Sequence, residues 1–426
     1  MLALPAILPL SRVSMYSLLQ MSEVTATQVD DPRVRRPAMR EAPIWLMHSG
    51  MTASRFVGMH TMGAIFPVTA GILLFGWRAI GAILVVMLSA VAALLAWRRV
   101  GSRGEQIRVD HCLWLAMLLA ITLPAQLFST ADAIPGSTVS LWPILVTGGG
   151  CLVMFTWLLG GIGSGRVHPV LVTQLLLFVC FKDVLAPQYV LDRHHLVMGD
   201  IFRATSVEGT ITQPWTRSLV AGDSDALRVE AASQTLLHYT SAVESSSHSW
   251  VALDAILRDR MPPLEDLIVG GHPAPIGMGS AIAVIIGGLF LLYRGLIDYR
   301  VPLLIILSMI ATSLILPVPA VIQEDTAVWR WAGFHDPQIG WAVAMTLVNY
   351  EVMAGPLLFV AFFLATSPAV RPIARRARVV YAIIIGMLTA FFQLYVSVAV
   401  GAYVALLLAS ILTPTFDKLF RPRTLV

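Results

Sequence analysis

Charge is what this sequence has least of. Lys, Arg, Asp and Glu make up 13% of its 426 residues, about half of the roughly 25% carried by soluble domains. That shortage excludes a water-soluble enzyme with a polar shell. Hydrophobic residues reach 57%, which excludes intrinsic disorder, since disorder needs low hydrophobicity and high charge. With a mean hydropathy of +0.77, a polytopic membrane protein remains. The net charge of +4 is small for this length, so the basic character reflects Arg clusters beside apolar runs rather than a nucleic-acid surface.

Cysteine is almost missing as well. Cys112, Cys151 and Cys180 lie far apart, each in or beside an apolar run, with no CxxC or CxxH spacing. This argues against a zinc or iron–sulfur centre held by the cysteines of this chain, and the thiols read as small buried hydrophobes. The apolar opening Met1 to Leu10 lacks the basic n-region and cleavage site of a secretory signal. A more ordinary polar leader starts at Met21, so residues 1–20 read as an upstream start-site artefact.

What the chain has in quantity is long apolar runs. A span needs about 20 mostly apolar residues, and ten segments qualify: 60–77, 80–97, 111–129, 141–160, 168–186, 276–293, 301–319, 343–366, 378–396 and 398–414. The fold class expected is therefore all-α, a polytopic integral membrane protein of about ten transmembrane helices. Lys and Arg concentrate on the cytoplasmic side of spans. With the N-terminus inside, the inner loops hold Arg98, Arg99, Arg103, Arg108, Arg166, Arg294, Arg300, Arg371, Arg375, Arg376 and Arg378, and the tail adds Lys418, Arg421 and Arg423. The short outer loops hold only Arg78 and Arg330. Both termini are thus expected in the cytoplasm of a bacterial cell, with the protein in its inner membrane.

The organisation follows from this topology. Residues 1–59 form a cytoplasmic N-terminal segment, 60–186 a first five-helix half, 187–274 a polar extracytoplasmic loop or subdomain, 275–415 a second five-helix half, and 416–426 a cytoplasmic tail. Five spans on each side of the outer loop give two halves of opposite orientation, as in inverted-repeat transporters. An aromatic–Arg turn joins the first two spans of each half, Gly76-Trp77-Arg78 against Tyr293-Arg294-Gly295.

Three motifs interrupt the apolar runs: Gly160-Gly161-Ile162-Gly163-Ser164-Gly165-Arg166-Val167-His168-Pro169, Gly270 to Ser280, and Phe362 to Pro372. Non-helical backbone at membrane depth is tolerated where protein or a cavity covers it. Tight loops, small residues at a helix interface and an ordinary helix stop also account for these stretches. Among ionisable groups, Glu351 is the one acidic residue well inside an expected span, and such a group reads either as an ion or proton site or, if the span boundary is shifted, as a residue near the outer surface. The loop residues Asp192, His194 and His195 lack a metal-ligand spacing, so no metal site is expected.

Taken together, these motifs resemble the family that contains the D subunit of the Rnf electron-transport complex and the B subunit of the sodium-translocating NADH:quinone reductase. Phe66-Pro67 through Phe75-Gly76-Trp77-Arg78 is similar to the family's opening spans, and Asp110 through Leu123-Pro124 to its third. Gly160 to Pro169 stands where the family has Gly-Gly-Leu-Gly followed by Asn-Pro, and Phe362 to Pro368 where it has Phe-Phe-Met-Ala-Thr-Asp-Pro. Ile276-Gly277 to Ser280, with Gly287-Gly288 and Arg300-Val301-Pro302, matches the sixth-span entry, and Ala405 to Asp417 the closing helix. Three polar family positions differ here, with Ser367 for Asp, Met278 for Glu and His168 for Asn. The chain reads as a divergent member.

The resemblance implies a membrane subunit that works with other membrane and soluble subunits in a redox complex, coupling electron transfer to cation movement, with no nucleic-acid partner. It implies FMN on a phosphoester at an outer-loop Thr, for which Ser249 is the nearest counterpart with Ser247 beside it, and it brings in riboflavin as a second flavin. Gly277, Ser280, Thr366 and Ser367 are the other flavin-contact candidates, and Glu351 and His168 the ion-path candidates. A redox-silent permease or channel on the same scaffold, and an assembly subunit that docks redox partners, stay open as alternatives.

Overall fold

The structure, a computed structural model, describes residues 52–100, 107–128, 141–160, 167–185, 188–192, 226–230, 232–233, 236, 251–252, 257, 261–262, 264–270, 272–323, 326–331, 340–368 and 370–420. These all belong to one compact unit, Trp45–Val426. Ser247, Ser249, His194, His195 and the glycine loop 161–166 lie outside the described residues, as does everything before residue 52.

Each expected span coincides with a helix or a helix pair, with shifted ends. In the first set these are α1 (Ala53–Phe75), α2 (Trp77–Val100), α3 (Val109–Thr122), α4 (Trp142–Leu158) and α5 (Pro169–Cys180). A short helix α6 (Leu264–Val269) precedes the second set: α7 (Ala281–Tyr293), α8 (Arg300–Ile315), α9 (Gly340–Met353) continued by α10 (Leu357–Leu364), α11 (Arg375–Tyr395) and α12 (Gly401–Leu419). Among the described residues, α1, α2, α11 and α12 are long and apolar enough to cross a membrane alone, and the bent pair α9–α10 counts as a fifth. The remaining α3, α4, α5, α7 and α8 are shorter apolar helices.

The shortness of α3 has a local cause. Pro124 favours extended backbone in the residue before it, and Leu123 is extended. The helix-end carbonyls freed in this way need donors where water is scarce. The chain entering α7 supplies them: Ile276 N–H donates to Leu123 O at 3.0 Å and Gly277 N–H to Ile121 O at 2.9 Å. Gly277 is glycine because a Cβ there would collide with the Ile121 side chain.

Helix packing repeats between the two sets. In the first, α2 lies against α4, and Gly149 of α4 presses on α2 so closely that a Cβ would collide with Ser89 Oγ, 2.8 Å from Ala90 N and 2.9 Å from Val86 O. In the second, α8 lies against α11, and a Cβ on Gly386 of α11 would collide with Ser308 Oγ and Ile305 O, 2.8 Å from Met309 N. Both serines turn their hydroxyls back on their own helix, Ser89 to Val86 O and Ser308 to Ile305 O. A glycine seated on a serine that is bonded three residues back thus occurs once in each set.

The all-helical expectation holds for the membrane bundle, and small sheets are added outside it. β1 (Gln188–Asp192) pairs antiparallel with β2 (Ala226–Glu230). The order β3–β4–β5 joins Val251–Ala252, Pro317–Gln323 and Thr326–Trp331. Residues 317–319, expected inside the seventh span, belong to β4 because Pro317 and Pro319 cannot continue a helix. Ala232, Leu236, Leu257, Met261 and Leu267 from the segment between the two sets form a second core with Val318, Ala344, Leu347 and Tyr350. Tyr350 ties it down, its hydroxyl donating to Pro262 O at 2.6 Å.

At another loop, Asp417 of α12 accepts the amides of Ile373 at 2.9 Å and Ala374 at 3.4 Å, capping the entry to α11. Asp417→Ala is expected to cost about 1 kcal/mol, the ordinary worth of a cap, read as a small drop in the unfolding midpoint in detergent with no change in helix content.

Candidate functional site

The bundle brings candidate residues together in two places. The first joins His60 of α1, Trp114 of α3, His168 at the N-cap of α5 and Phe363 of α10. Trp114 Nε1–H donates to His60 Nδ1 at 2.9 Å, so the His60 proton sits on Nε2 in the neutral ring. The rings meet edge to face: His60 lies 5.3 Å from Trp114 and 5.6 Å from Phe363, and Trp114 lies 6.0 Å from His168, centroid to centroid. His60 is fully buried and His168 is 1% exposed. Both ring nitrogens of His168 have no hydrogen-bond partner among the described residues, whereas the second ring nitrogen of His60 faces the Phe363 backbone. Buried polar atoms left in that state each cost about 1–3 kcal/mol and commonly mark an ordered water or a ligand.

The resemblance pointed to Gly277, Ser280, Thr366 and Ser367 as flavin contacts, and the structure gives each a backbone role. Gly277 is closed against Ile121. Ser280 caps α7, its Oγ accepting from Ala283 N at 3.4 Å and donating to Ile268 O at 3.1 Å. Thr366 Oγ donates to Phe362 O at 2.6 Å. That bond adds to the wide final turn of α10, where Ala365 N reaches back to Val360 O at 2.8 Å. Ser367 accepts at its carbonyl from Val370 N at 3.1 Å and Arg371 N at 3.2 Å, turning the chain out of the helix. The Ser280 and Thr366 hydroxyls thus donate to backbone carbonyls, which leaves their oxygens free only to accept.

Gly277 and the imidazole cluster also sit at different depths. Gly71 of α1 packs on Ile276, and His60 lies eleven residues earlier on the same helix, about 16 Å away.

The second place surrounds the bend between α9 and α10, where the helix axes turn by 57°. Glu351, on the last turn of α9, is 2% exposed. It accepts a hydrogen bond from Ser313 Oγ of α8 at 2.7 Å. Gln393 of α11 reaches the same bend, and neither of its amide atoms, nor Ser397 Oγ just beyond the helix, has a hydrogen-bond partner among the described residues. A Cβ on Gly355, in the bend itself, would lie 2.9 Å from Gln393 Nε2 and 2.9 Å from Val398 O.

Ser249 and Ser247 lie outside the described residues, as do His194 and His195. Among the described residues, no three His, Cys, Asp or Glu side chains converge as metal ligands. Of the loop histidines, His272 is buried, its Nδ1 3.1 Å from Asp266 O. Burial holds its pKa down to about 4, so it is neutral at pH 7. Sequence reasoning missed His60, Trp114, Ser313, Gln393 and Ser397. The available signal was a polar or imidazole side chain inside or beside an apolar run.

The family model described as the NQR2, RnfD, RnfE family matches residues 40–426. The chain is 25% identical over 345 residues to the D subunit of the ion-translocating oxidoreductase complex of Pseudomonas aeruginosa (strain UCBPP-PA14), covering 80% of this chain and 81% of that protein. It is 25% identical over 366 residues to the protein of the same name from Halorhodospira halophila, covering 84% and 88%. It is 28% identical over 165 residues to the D subunit of the Na(+)-translocating ferredoxin:NAD(+) oxidoreductase complex of Acetobacterium woodii, covering 38% and 43%.

Proposed function

Because the chain belongs to the NQR2, RnfD, RnfE family, we propose that it is a membrane subunit of an ion-translocating electron-transfer complex, contributing part of an ion path and contacting a flavin. The other subunits supply the electron donor and acceptor sites, for which this chain has neither a cysteine cluster nor a nucleotide-binding motif.

The observation that carries the ion path is the buried carboxylate of Glu351 beside a bent span. Carboxylates are kept at such depth where they meet an ion or a proton, and interrupted helices are where transporters of other folds place their coupling ions. His168 extends the path reading to the imidazole cluster, whose unpartnered nitrogens can take or give a proton or bond a water.

The basic loops support an orientation with both termini in the cytoplasm of a bacterial inner membrane. Arg371, Arg375, Arg376 and Arg378 lie together at the entry to α11. Arg378 reaches Asp298 at 3.5 Å. Arg371 is held down to about 10 by burial and by Arg378, which leaves it charged at neutral pH.

The flavin part rests on the outer segment, where the hydroxyl of Ser249, with Ser247 beside it, would carry the phosphoester. Bound there, FMN would supply one-electron transfer. The test is native and denaturing purification of the full chain followed by in-gel flavin fluorescence and intact mass. The expected result is an FMN adduct mapped to Ser249 and lost in Ser249→Ala. Absence of flavin from the native protein would overturn the flavin contact. If redox-driven cation uptake by membrane vesicles also survived deletion of this protein, the redox-subunit reading would fall with it, in favour of a permease or an assembly role.

A further inference from the structure

Arginine is crowded where α11 begins, and the local carboxylates do not match it. Arg375 and Arg376 open the helix and Arg378 follows, with no acidic residue in the first turn. A helix N-terminus is the positive end of the peptide dipole, so further positive charge is unfavourable there. Of the two carboxylates at hand, Asp417 is committed to the amides of Ile373 and Ala374. Asp298, from the loop between α7 and α8, lies 3.5 Å from Arg378 and accepts from the amide of Arg300 at 3.3 Å. Arg378 gives its other donors to Pro372 O and Ile373 O, both at 3.0 Å.

One guanidinium is left over. Arg371 is half-buried and interacts electrostatically with Arg378, Asp298 and Tyr381, yet it makes no hydrogen bond or close ion pair of its own among the described residues. Tyr381 is fully buried, and its hydroxyl has no partner among the described residues. Both groups can donate, and both lack an acceptor. An unmatched charge and an unmatched hydroxyl side by side are costly unless a ligand satisfies them.

The surface leading away from this cluster is apolar. Tyr299, Leu303 and Leu307 are spaced four apart, which puts them on one face of α8, and each is more than half exposed. Arg300 lies over the Tyr299 ring at 5.7 Å, and Ile373, between the arginines in sequence, is more than half exposed as well. Aromatic and basic side chains at the head of an apolar stripe are the pattern of a membrane interface, and basic pockets between spans take anionic headgroups. A small inorganic anion or a partner's carboxylate would answer the charge alone. A phospholipid answers the charge and covers the stripe.

We propose that the corner between α8 and α11 binds one anionic phospholipid, its phosphodiester accepting from Arg371 and from the Tyr381 hydroxyl, with an acyl chain along the Tyr299, Leu303 and Leu307 face. Arg378, held by Asp298 and two carbonyls, positions the loop that carries Arg371. The site is separate from the redox and ion-path reading and does not depend on which side of the membrane the loop faces.

The test uses the full-length chain, stripped of lipid in nonionic detergent and titrated with phosphatidylglycerol or phosphatidylcholine of matched acyl chains, with glycerol phosphate and inorganic phosphate as chain-free probes. Native mass spectrometry counts bound lipid, and the unfolding midpoint reads stabilisation. The wild type is expected to retain one phosphatidylglycerol with a preference of about fivefold over phosphatidylcholine, the worth of roughly one basic residue at an anionic headgroup. Arg371→Gln is expected to abolish that preference. Tyr381→Phe is expected to weaken phosphatidylglycerol binding severalfold while its midpoint in lipid-free detergent holds or rises, because an unpartnered buried hydroxyl is removed. A purely structural tyrosine would not give that opposition. Arg55→Gln, on α1 and outside the cluster, is expected to bind like the wild type, and an equal loss there would make the preference a matter of net charge and overturn the site. Absence of any preference in the folded wild type overturns it whatever the variants do. So does competition by glycerol phosphate or inorganic phosphate as strong as that of the intact lipid, which would make this a small-anion site. If both cluster variants keep the lipid and Arg371→Gln instead releases a neighbouring subunit from the purified complex, the arginines belong to a subunit contact and the lipid site falls.

Discussion

Gly386→Val is expected to remove most of the folded protein from the membrane fraction. The first added carbon already collides with Ser308 Oγ and with the backbone oxygen of Ile305, and lies 2.8 Å from Met309 N. Backbone atoms of a packed helix cannot swing aside as a side chain can, so α8 and α11 have to separate along one of the most extensive helix contacts of the bundle. Overpacking usually costs about 1–3 kcal/mol where side chains absorb it, and this contact belongs at or above the upper end. Gly386→Ala combined with Ser308→Gly is expected to recover part of the loss, since it clears the hydroxyl but not the carbonyl. The equivalent change at Gly149 should fail for the same reason, against Ser89 and Val86. Gly58 has nothing within 4 Å of its Cβ position, and Gly58→Ala should be neutral or gain up to about 1 kcal/mol from helix propensity. Membrane yield and unfolding in detergent measure all four, and a Gly386→Val protein as stable as Gly58→Ala would show that the two helices are not in this contact.

The second large effect is expected at Trp114. Its indole fills the space between α1, α3 and α5, touching Phe56, His60 and His168, and it supplies the one hydrogen bond made to His60 Nδ1 among the described residues. Trp114→Ala should destabilise by about 3–5 kcal/mol from lost packing alone. Trp114→Phe keeps an aromatic ring and removes the donor, which isolates a cost of about 1–3 kcal/mol for leaving His60 Nδ1 unbonded. In a double-mutant cycle, His60→Leu should therefore cost less in the Trp114→Phe background than in the wild type, with a coupling of roughly 1 kcal/mol. Chemical unfolding in detergent with tryptophan fluorescence reads the cycle. Strict additivity would mean that the Trp114–His60 bond contributes nothing to stability.

Several features of this molecule can be read directly from its residues. The 13% charged fraction and the apolar runs give the membrane class and the approximate place of the long apolar helices, though not of α6, because a span is a local property of about 20 residues. Prolines gave partial warning of helix ends. Pro124 and Pro317 stop α3 and α8 short of the expected boundaries, since the residue before each is driven into extended backbone. Glu351 stood out on charge alone.

The partners of these residues were not legible. Trp114 meets His60 across 54 positions in the chain, Glu351 meets Ser313 across 38, and Tyr350 meets Pro262 across 88. Hydropathy carries no information about which apolar face meets which, so His60, Gln393 and Ser397 looked like incidental polar residues in or beside membrane helices. That the hydroxyls of Ser280 and Thr366 donate to backbone carbonyls was not legible either. By itself, the sequence determined that the chain lies in a membrane and roughly where its helices run, because burial in lipid is decided residue by residue. Tertiary structure alone decided which glycines are pinned against a neighbouring backbone and which polar atoms are left without partners, because both depend on contacts between segments far apart in the chain.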